Sequence, residues 1–281
     1  MSMNINWYPG HMKKTIEEIE KKLKLVDFVI EIRDSRIPYS SRNPLLNTVL
    51  KDKRRLIVLN KSDLSEDAQN QLWIEKLSTD NNKAILYSAA KPNPSLIIKE
   101  SLNLMKDELE RYKAKGINHG PLRAMIVGIP NSGKSTFING ISKTKSTRVG
   151  NRPGITTTNQ WIRLNPKLHL LDTPGILWPK FEEEQVGINL AYTGAIKDEI
   201  LDTETLCLKL IEYLNSVDKN ILEERYKIEI GEKTPVEVME AIGLKRGAKL
   251  RGNEIDYTKV ANIVLDEFRK GTLGRITLER L

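Results

Sequence analysis

Residues 128–136 read GIPNSGKST, a G-x-x-x-x-G-K-[ST] pattern with an apolar run, RAMIV (123–127), before it and helix spacing after it. Phosphate binding is the chemistry that needs these types in this order. Gly128 and Gly133 let the backbone wrap closely, so that its N–H groups face phosphate oxygens. The N-terminus of the helix that follows adds positive potential. Lys134 suits the β- and γ-phosphates and the Ser135 hydroxyl suits Mg²⁺, with Asn131, Ser132 and Thr136 completing the nucleotide-binding turn. LLDTPG (170–175) places Asp172 44 residues beyond Gly128. Asp172 is expected to hold the Mg²⁺ through water, and Gly175 to present its backbone N–H to the γ-phosphate.

Residues 60–63, NKSD, directly follow RRLIVL (54–59). The Asp63 carboxylate can accept from N1–H and the 2-amino group of guanine, a pattern adenine does not offer. Asn60 can bond the base edge and tie loops together, the Lys61 stem can cover the ring, and Ser62 shares the turn. Ser88-Ala89-Ala90 is similar to the S-A-x loop whose backbone N–H supports guanine O6. A site built on such bonds rejects the wrong base by roughly 10⁴-fold, because buried polar groups would be left unpaired. Taken alone, NKSD also fits a helix start capped by Asp63 or Ser65.

In an ordinary GTPase the phosphate loop comes first, then a switch Thr, D-x-x-G, N-K-x-D and S-A-x. Here N-K-x-D and S-A-x lead. The order is that of a circular permutation, tolerable because domain termini often lie close together. The former ends would be joined through a helix at 95–114 and a linker at 115–121. The new ends would open beside the element that senses the γ-phosphate.

The elements that must position these motifs alternate. Apolar, β-branched runs predict strands at 26–33, 54–59, 83–87, 123–127, 160–164 and 168–171, the last two joined by a tight Asn165-Pro166 turn. Helix spacing falls at 15–25, 45–51, 66–79, 95–114 and 134–142. This predicts an α/β fold with a doubly wound, mostly parallel sheet. From 203 onward only helix spacing recurs, at 203–217, 219–226, 235–242 and 257–270. The expected organisation is an arm at 1–14, a permuted GTPase domain at 15–198 and an all-helical domain at 199–281.

The 281 residues can bury a sizeable core, and 39% hydrophobic with 29% charged residues excludes an intrinsically disordered chain. No apolar run approaches the ~18 residues of a membrane span. The N-terminal stretch lacks the apolar core of a secretory signal. The single cysteine, Cys207, excludes an internal disulfide, and a reducing, cytoplasmic home is expected. The net charge of +8 is uneven. Residues 1–199 carry 31 Lys and Arg against 22 Asp and Glu, whereas 200–281 carry 14 against 15. That bias suits a polyanion such as RNA as readily as it suits plain solubility. Two basic stretches stand out: Lys143, Lys145, Arg148 and Arg152, then Lys245, Arg246, Lys249 and Arg251.

WYPGHM (7–12), EIRDSRIP (31–38), NKSD, GIPNSGKST, RPGIT (152–156), DTPGI (172–176) and GRITLE (274–279) together, in this order, resemble the ribosome biogenesis GTPase A family of circularly permuted GTPases. The resemblance covers nearly the whole chain. It implies a cytoplasmic GTPase acting late in large (50S) ribosomal subunit assembly. Its partners would be the large-subunit precursor, rRNA and ribosomal proteins, with the protein monomeric off the ribosome. It also implies an RNA-binding C-terminal helical domain.

Thr156 best matches the family's switch Thr and is assigned Mg²⁺ and γ-phosphate contact, with Thr157 and Thr158 one and two residues away as alternatives. Ile176 occupies the place where many GTPases carry a Gln that orients water. An aliphatic side chain cannot do so, which leaves two sources of catalysis. His11 can polarise or orient water near neutral pH, as the resemblance implies. Asn131 is similar to the Asn that coordinates K⁺ in potassium-stimulated GTPases, and a K⁺ would add charge where an arginine finger otherwise acts. His119 and His169 read as structural. The competing reading is a GTP-regulated RNA-binding placeholder whose hydrolysis is not essential.

Overall fold

The structure, a computed structural model, describes residues 12–50, 53–142, 161–173, 175, 177, 181 and 183–281, with side chains from residue 17 onward. His11, Thr156, Thr157, Thr158, Ile176 and the first basic stretch (Lys143, Lys145, Arg148, Arg152) lie outside the described residues. The described chain divides into two units. One holds the residues up to Phe181 together with Thr277–Leu281, and the other ends at Ile276.

In the first unit, runs of apolar residues form a six-stranded sheet in the order β3-β2-β1-β4-β6-β5. The strands are β1 (Phe28–Asp34), β2 (Arg55–Asn60), β3 (Asn82–Leu86), β4 (Leu122–Gly128), β5 (Trp161–Asn165) and β6 (Leu168–Asp172). Each lies where the sequence placed it, with ends shifted by a residue or two. All neighbours are parallel except β5 against β6. Every residue of β1 is buried, as a central strand covered on both faces requires. Of its three buried charged residues, Glu31 and Arg33 pair with each other, Arg33 Nε donating to Glu31 Oε1 at 2.8 Å.

Among its described residues this unit has six α-helices: α1 (Met12–Leu23), α2 (Pro44–Leu50), α3 (Asp67–Leu77), α4 (Pro94–Leu104), α5 (Lys106–Ala114) and α6 (Lys134–Ile141). Ile97 of α4 and Phe137, Ile138 and Ile141 of α6 share one core with Phe28, Ile30 and Ile32 of β1 and Ile126 of β4. Asn93 starts α4 by accepting from Leu96 N at 3.1 Å. The single helix expected at 95–114 is two, broken at Met105, whose side chain is buried.

The second unit is helical: α7 (Glu184–Tyr192), α8 (Thr203–Val217), α9 (Asn220–Tyr226), α10 (Pro235–Arg246) and α11 (Tyr257–Lys270), with no strand among its described residues beyond an isolated Lys249–Ile255 bridge. Its helix ends are written in the sequence. Asp202 and Asp256 cap α8 and α11, Thr234 and Glu237 form a capping box on α10, and Gly247 and Gly271 close α10 and α11 in the left-handed conformation. The change of unit falls at 181–183, whereas the sequence reading set it between 198 and 199. The reason is α7. Its Val186–Tyr192 face is buried, and Arg269 of α11 donates to Ala191 O and Tyr192 O while gripping Asp198 with two bonds of 2.7 Å.

Candidate functional site

The two motifs that stand 68 residues apart in sequence, Asn60 in one and Gly128 in the other, are joined in space by side chains. β2 ends in Asn60 and β4 ends in Gly128, and both strands flank β1. Asn60 is fully buried and uses both ends of its amide. Its Nδ2 donates to Ser132 O at 2.9 Å, and its Oδ1 accepts from Ala89 N at 3.0 Å. One side chain thus ties the phosphate loop to both loops assigned to the base. Lys61, in the left-handed region at φ 61°, donates to Asn131 O at 2.6 Å and to Asp34 Oδ2 at 2.9 Å.

Within the loop, Ser132 Oγ donates to Ile129 O at 2.9 Å, and Asn131 sits at φ 57°. Glycine is required at two places. A Cβ on Gly133, which has φ 86°, would fall 2.3 Å from Asn60 Nδ2, and one on Gly128 would fall 2.8 Å from Ile32 O. Gly133 is followed by α6, so Lys134, Ser135 and Thr136 form the first turn of a helix that begins at the loop. Lys134 Nζ meets Asp172 Oδ1 at 2.5 Å, both side chains being almost fully buried. The chain turns away from β6 through Thr173, whose hydroxyl donates to Ile126 O at 2.6 Å. Gly175 then packs on the phosphate loop, where a Cβ would lie 3.1 Å from Pro130 N.

Asp63 lies in a short 3-10 turn, Ser62–Leu64, with its side chain exposed. The helix-capping alternative is not realised. α3 begins at Asp67 with no side-chain cap from Glu66 before it, and Ser65 Oγ instead donates to Asn70 Oδ1 and shares a hydroxyl–hydroxyl hydrogen bond with Ser35 Oγ, at 2.8 Å each. Ser88 Oγ is buried without a partner among the described residues, beside the loop that presents Ala89 N.

The electrostatics of the site centre on Asp34, which ends β1. Burial raises its pKa, but the charges of Arg36 and Lys61 and the bonds they donate outweigh burial and hold the carboxyl well below the usual carboxylate range. Burial pushes the Lys61 ammonium down, and Asp34 opposes that shift. Sequence reasoning did not single out Asp34 as a site residue. Its signal was an Asp closing a buried strand within EIRDSRIP.

The structure therefore brings together Asn60, Lys61, Ser62, Asp63, Ser88, Ala89, Asn131, Ser132, Gly133, Lys134, Ser135, Thr136, Asp172 and Gly175 in one unit. The donor set fits a magnesium–nucleotide complex. A backbone loop closed to a Cβ at Gly128 and Gly133 opens a helix, a buried lysine sits on a buried carboxylate, and a hydroxyl (Ser135) stands one residue from that lysine. Among the described residues no group of three or more His, Cys, Asp and Glu forms a separate metal site. His119 and His169 stand apart from these loops. His119 Nε2 lies 3.5 Å from Asp27, and burial pushes His169 on β6 down. No helix among the described residues is long and apolar enough to cross a membrane.

Comparisons with known proteins agree with this geometry. Residues 123–241 match the family model described as "50S ribosome-binding GTPase". A Bacillus cereus protein named ribosome biogenesis GTPase A is 43% identical over 278 residues, covering 99% of this chain and 94% of its own. The mitochondrial ribosome-associated GTPase 1 of Ictalurus punctatus is 33% identical, covering 98% of this chain and 92% of its own. A crystal structure of GNP-bound YlqF from T. maritima shares the fold with a TM-score of 0.66, at 24% identity, over 95% of this chain and 98% of that one.

Proposed function

The chain belongs to the ribosome biogenesis GTPase A family, and from that premise we propose that it acts late in maturation of the large ribosomal subunit, with turnover raised by the particle. It is a GTP hydrolase. The observation that carries the site reading is the Asn60 amide, which fastens the N-K-x-D turn to the phosphate loop at 2.9 Å despite their reversed order in the chain. A base read by Asp63 and phosphates held by the 128–136 loop then belong to one nucleotide.

In this reading Ser135, Thr156 and Asp172 would hold Mg²⁺, which would supply charge neutralisation at the β- and γ-phosphates. Lys134 leaves Asp172 for the phosphates when the nucleotide enters. Gly175 N–H meets the γ-phosphate, and Ser88 and Ala89 support the base. His11 orients the attacking water, because Ile176 cannot. Asn131 would hold a K⁺, which would add positive charge where an arginine finger otherwise acts. GTP favours the particle-bound state and hydrolysis releases it.

Partners are the large-subunit precursor, its rRNA and ribosomal proteins, met in the cytoplasm by a monomer. The helical unit offers an RNA-contact surface at Lys245, Lys249 and Arg251, all exposed. Arg246, grouped with them by sequence, is also engaged within the fold: it donates to Glu267 at 3.0 Å. Phosphate contact by this patch would make affinity for rRNA fall steeply with salt. The expected organisation into an arm (1–14), a GTPase domain and a helical rRNA-binding domain fits this division of labour, although α1 already begins at Met12, inside the expected arm.

The test is His11→Ala assayed for both particle binding and turnover. Binding retained with turnover and release lost supports hydrolysis as the exit step. Normal assembly by that variant, with turnover lost, would favour the placeholder reading.

A further inference from the structure

Two motifs, EIRDSRIP (31–38) and GRITLE (274–279), take no direct part in the nucleotide chemistry above. In the first unit they meet. Leu278 N donates to Arg36 O at 2.9 Å. The Glu279 carboxylate accepts from Tyr39 N at 2.5 Å, from Ser40 N at 2.9 Å, and from the Ser40 hydroxyl. Trp73 Nε1 donates to Glu279 O at 2.8 Å, and Leu281 N donates to Gln69 Oε1 at 2.8 Å. Thr277 and Glu66 exchange bonds, Glu66 N donating to Thr277 Oγ1 at 3.1 Å and Thr277 N to Glu66 Oε2 at 3.3 Å. Residues 277–281 thus form a strap across the 36–40 loop and the start of α3, from its N-cap Glu66, three residues beyond Asp63.

The other side of that loop grips the N-K-x-D turn. Ser35 N donates to Asn60 O at 2.9 Å. Asp34 accepts from Arg36 N and Nε through Oδ1, and from Arg36 Nη2 and Lys61 Nζ through Oδ2, at 2.8–3.1 Å. The path from Glu279 to Lys61 and on to Asn131 O is therefore continuous in bonds. Lys61 needs this support: it is a non-glycine residue in the left-handed region whose half-buried side chain carries a charge. The strap, in contrast, is short and has one fully buried side chain, Thr277. Segments of that kind open locally at low cost, so their docking is an equilibrium a ligand can bias.

We propose that the strap is a positioning element for the base site: Glu279, acting through the 36–40 loop and Asp34, fixes Lys61, so that docked strap and bound guanine nucleotide stabilise each other. The proposal rests on residues 60–63 reading the base. The coupling is reciprocal by linkage, and couplings of this kind are typically about fivefold or larger.

The experiment uses the full-length protein with GDP and Mg²⁺. Saturating GDP is expected to slow hydrogen exchange at the Leu278 and Leu281 amides about fivefold or more. Glu279→Gln is expected to raise the GDP dissociation constant by a similar factor in the wild-type background and to add nothing in Lys61→Met, where the ammonium is already absent. A purely structural strap would instead weaken both backgrounds equally. Strap exchange indifferent to GDP, or equal weakening by Glu279→Gln in the two backgrounds, overturns the proposal. Asp63→Asn separates the layers. If it leaves GDP affinity unchanged, the base reading falls; if it lowers affinity while strap exchange ignores GDP, only the coupling falls.

Discussion

The amide nitrogen of Asn60 occupies the space in which a side chain at Gly133 would begin, 2.3 Å from that position's Cβ. Base-reading turn and phosphate loop therefore close on each other with no room to spare. Gly133→Ala forces the amide away from Ser132 O and Ala89 N. It also places an L side chain at φ 86°, a conformation costing roughly 1–2 kcal/mol on its own. Titration with a fluorescent GDP analogue is expected to show loss of binding by at least tenfold, with a lowered melting temperature. Unchanged affinity would mean that the two loops do not act together.

Asp63→Asn exchanges an acceptor for a donor at the base edge. GTP affinity is expected to fall by about 10²-fold or more, while xanthosine triphosphate, which offers a carbonyl where guanine has an amino group, gains. Competition binding with the two nucleotides checks this. Equal losses for both would remove Asp63 from base recognition.

Lys134 and Asp172 sit 2.5 Å apart, with 7% and 1% of their side chains exposed. Lys134→Met removes the buried cation that faces the Asp172 carboxylate and is expected to lower the stability of the nucleotide-free protein by about 3–5 kcal/mol. Adding Asp172→Asn should restore most of that stability without restoring nucleotide binding. Urea unfolding read alongside GDP titration separates the two effects. Parallel recovery of both would contradict the assigned roles.

The sheet was legible because each strand is an apolar run bounded by turn residues, and the permutation was legible because motif order needs no structure. What escaped was set by distant packing. Helix α7 is buried at every position from Val186 to Tyr192, so it carries no amphipathic stripe to betray it. The break at Met105 has no Gly or Pro to announce it. DSR at 34–36 falls in the loop after the strand expected at 26–33, yet Arg36 is among the largest fully buried side chains, because Asp34 at 2.8 Å neutralises it. That pairing, and with it the link to Lys61, is visible only once β1 and β2 lie side by side.

Asp34 also fixes an acid response. Arg36 and Lys61, outweighing burial, depress its folded pKa below the unfolded value near 3.8. Its contribution is therefore present in full above the unfolded value and is lost as pH falls toward the depressed folded one. Stability measured by urea unfolding is expected to fall progressively as pH drops below about 4, with Asp34→Asn less stable at pH 7 and flatter across that acid range. An identical acid limb in the variant would show that other carboxylates govern it.

The most direct measurement is GTP hydrolysis with purified large ribosomal subunits, in KCl and in NaCl, by the wild-type protein and His11→Ala. Subunits are expected to raise turnover well above the rate of the free protein, more in KCl than in NaCl, and the stimulation should vanish in His11→Ala while subunit binding persists. Turnover indifferent to subunits in both salts would contradict the account and leave a GTP hydrolase whose trigger lies elsewhere.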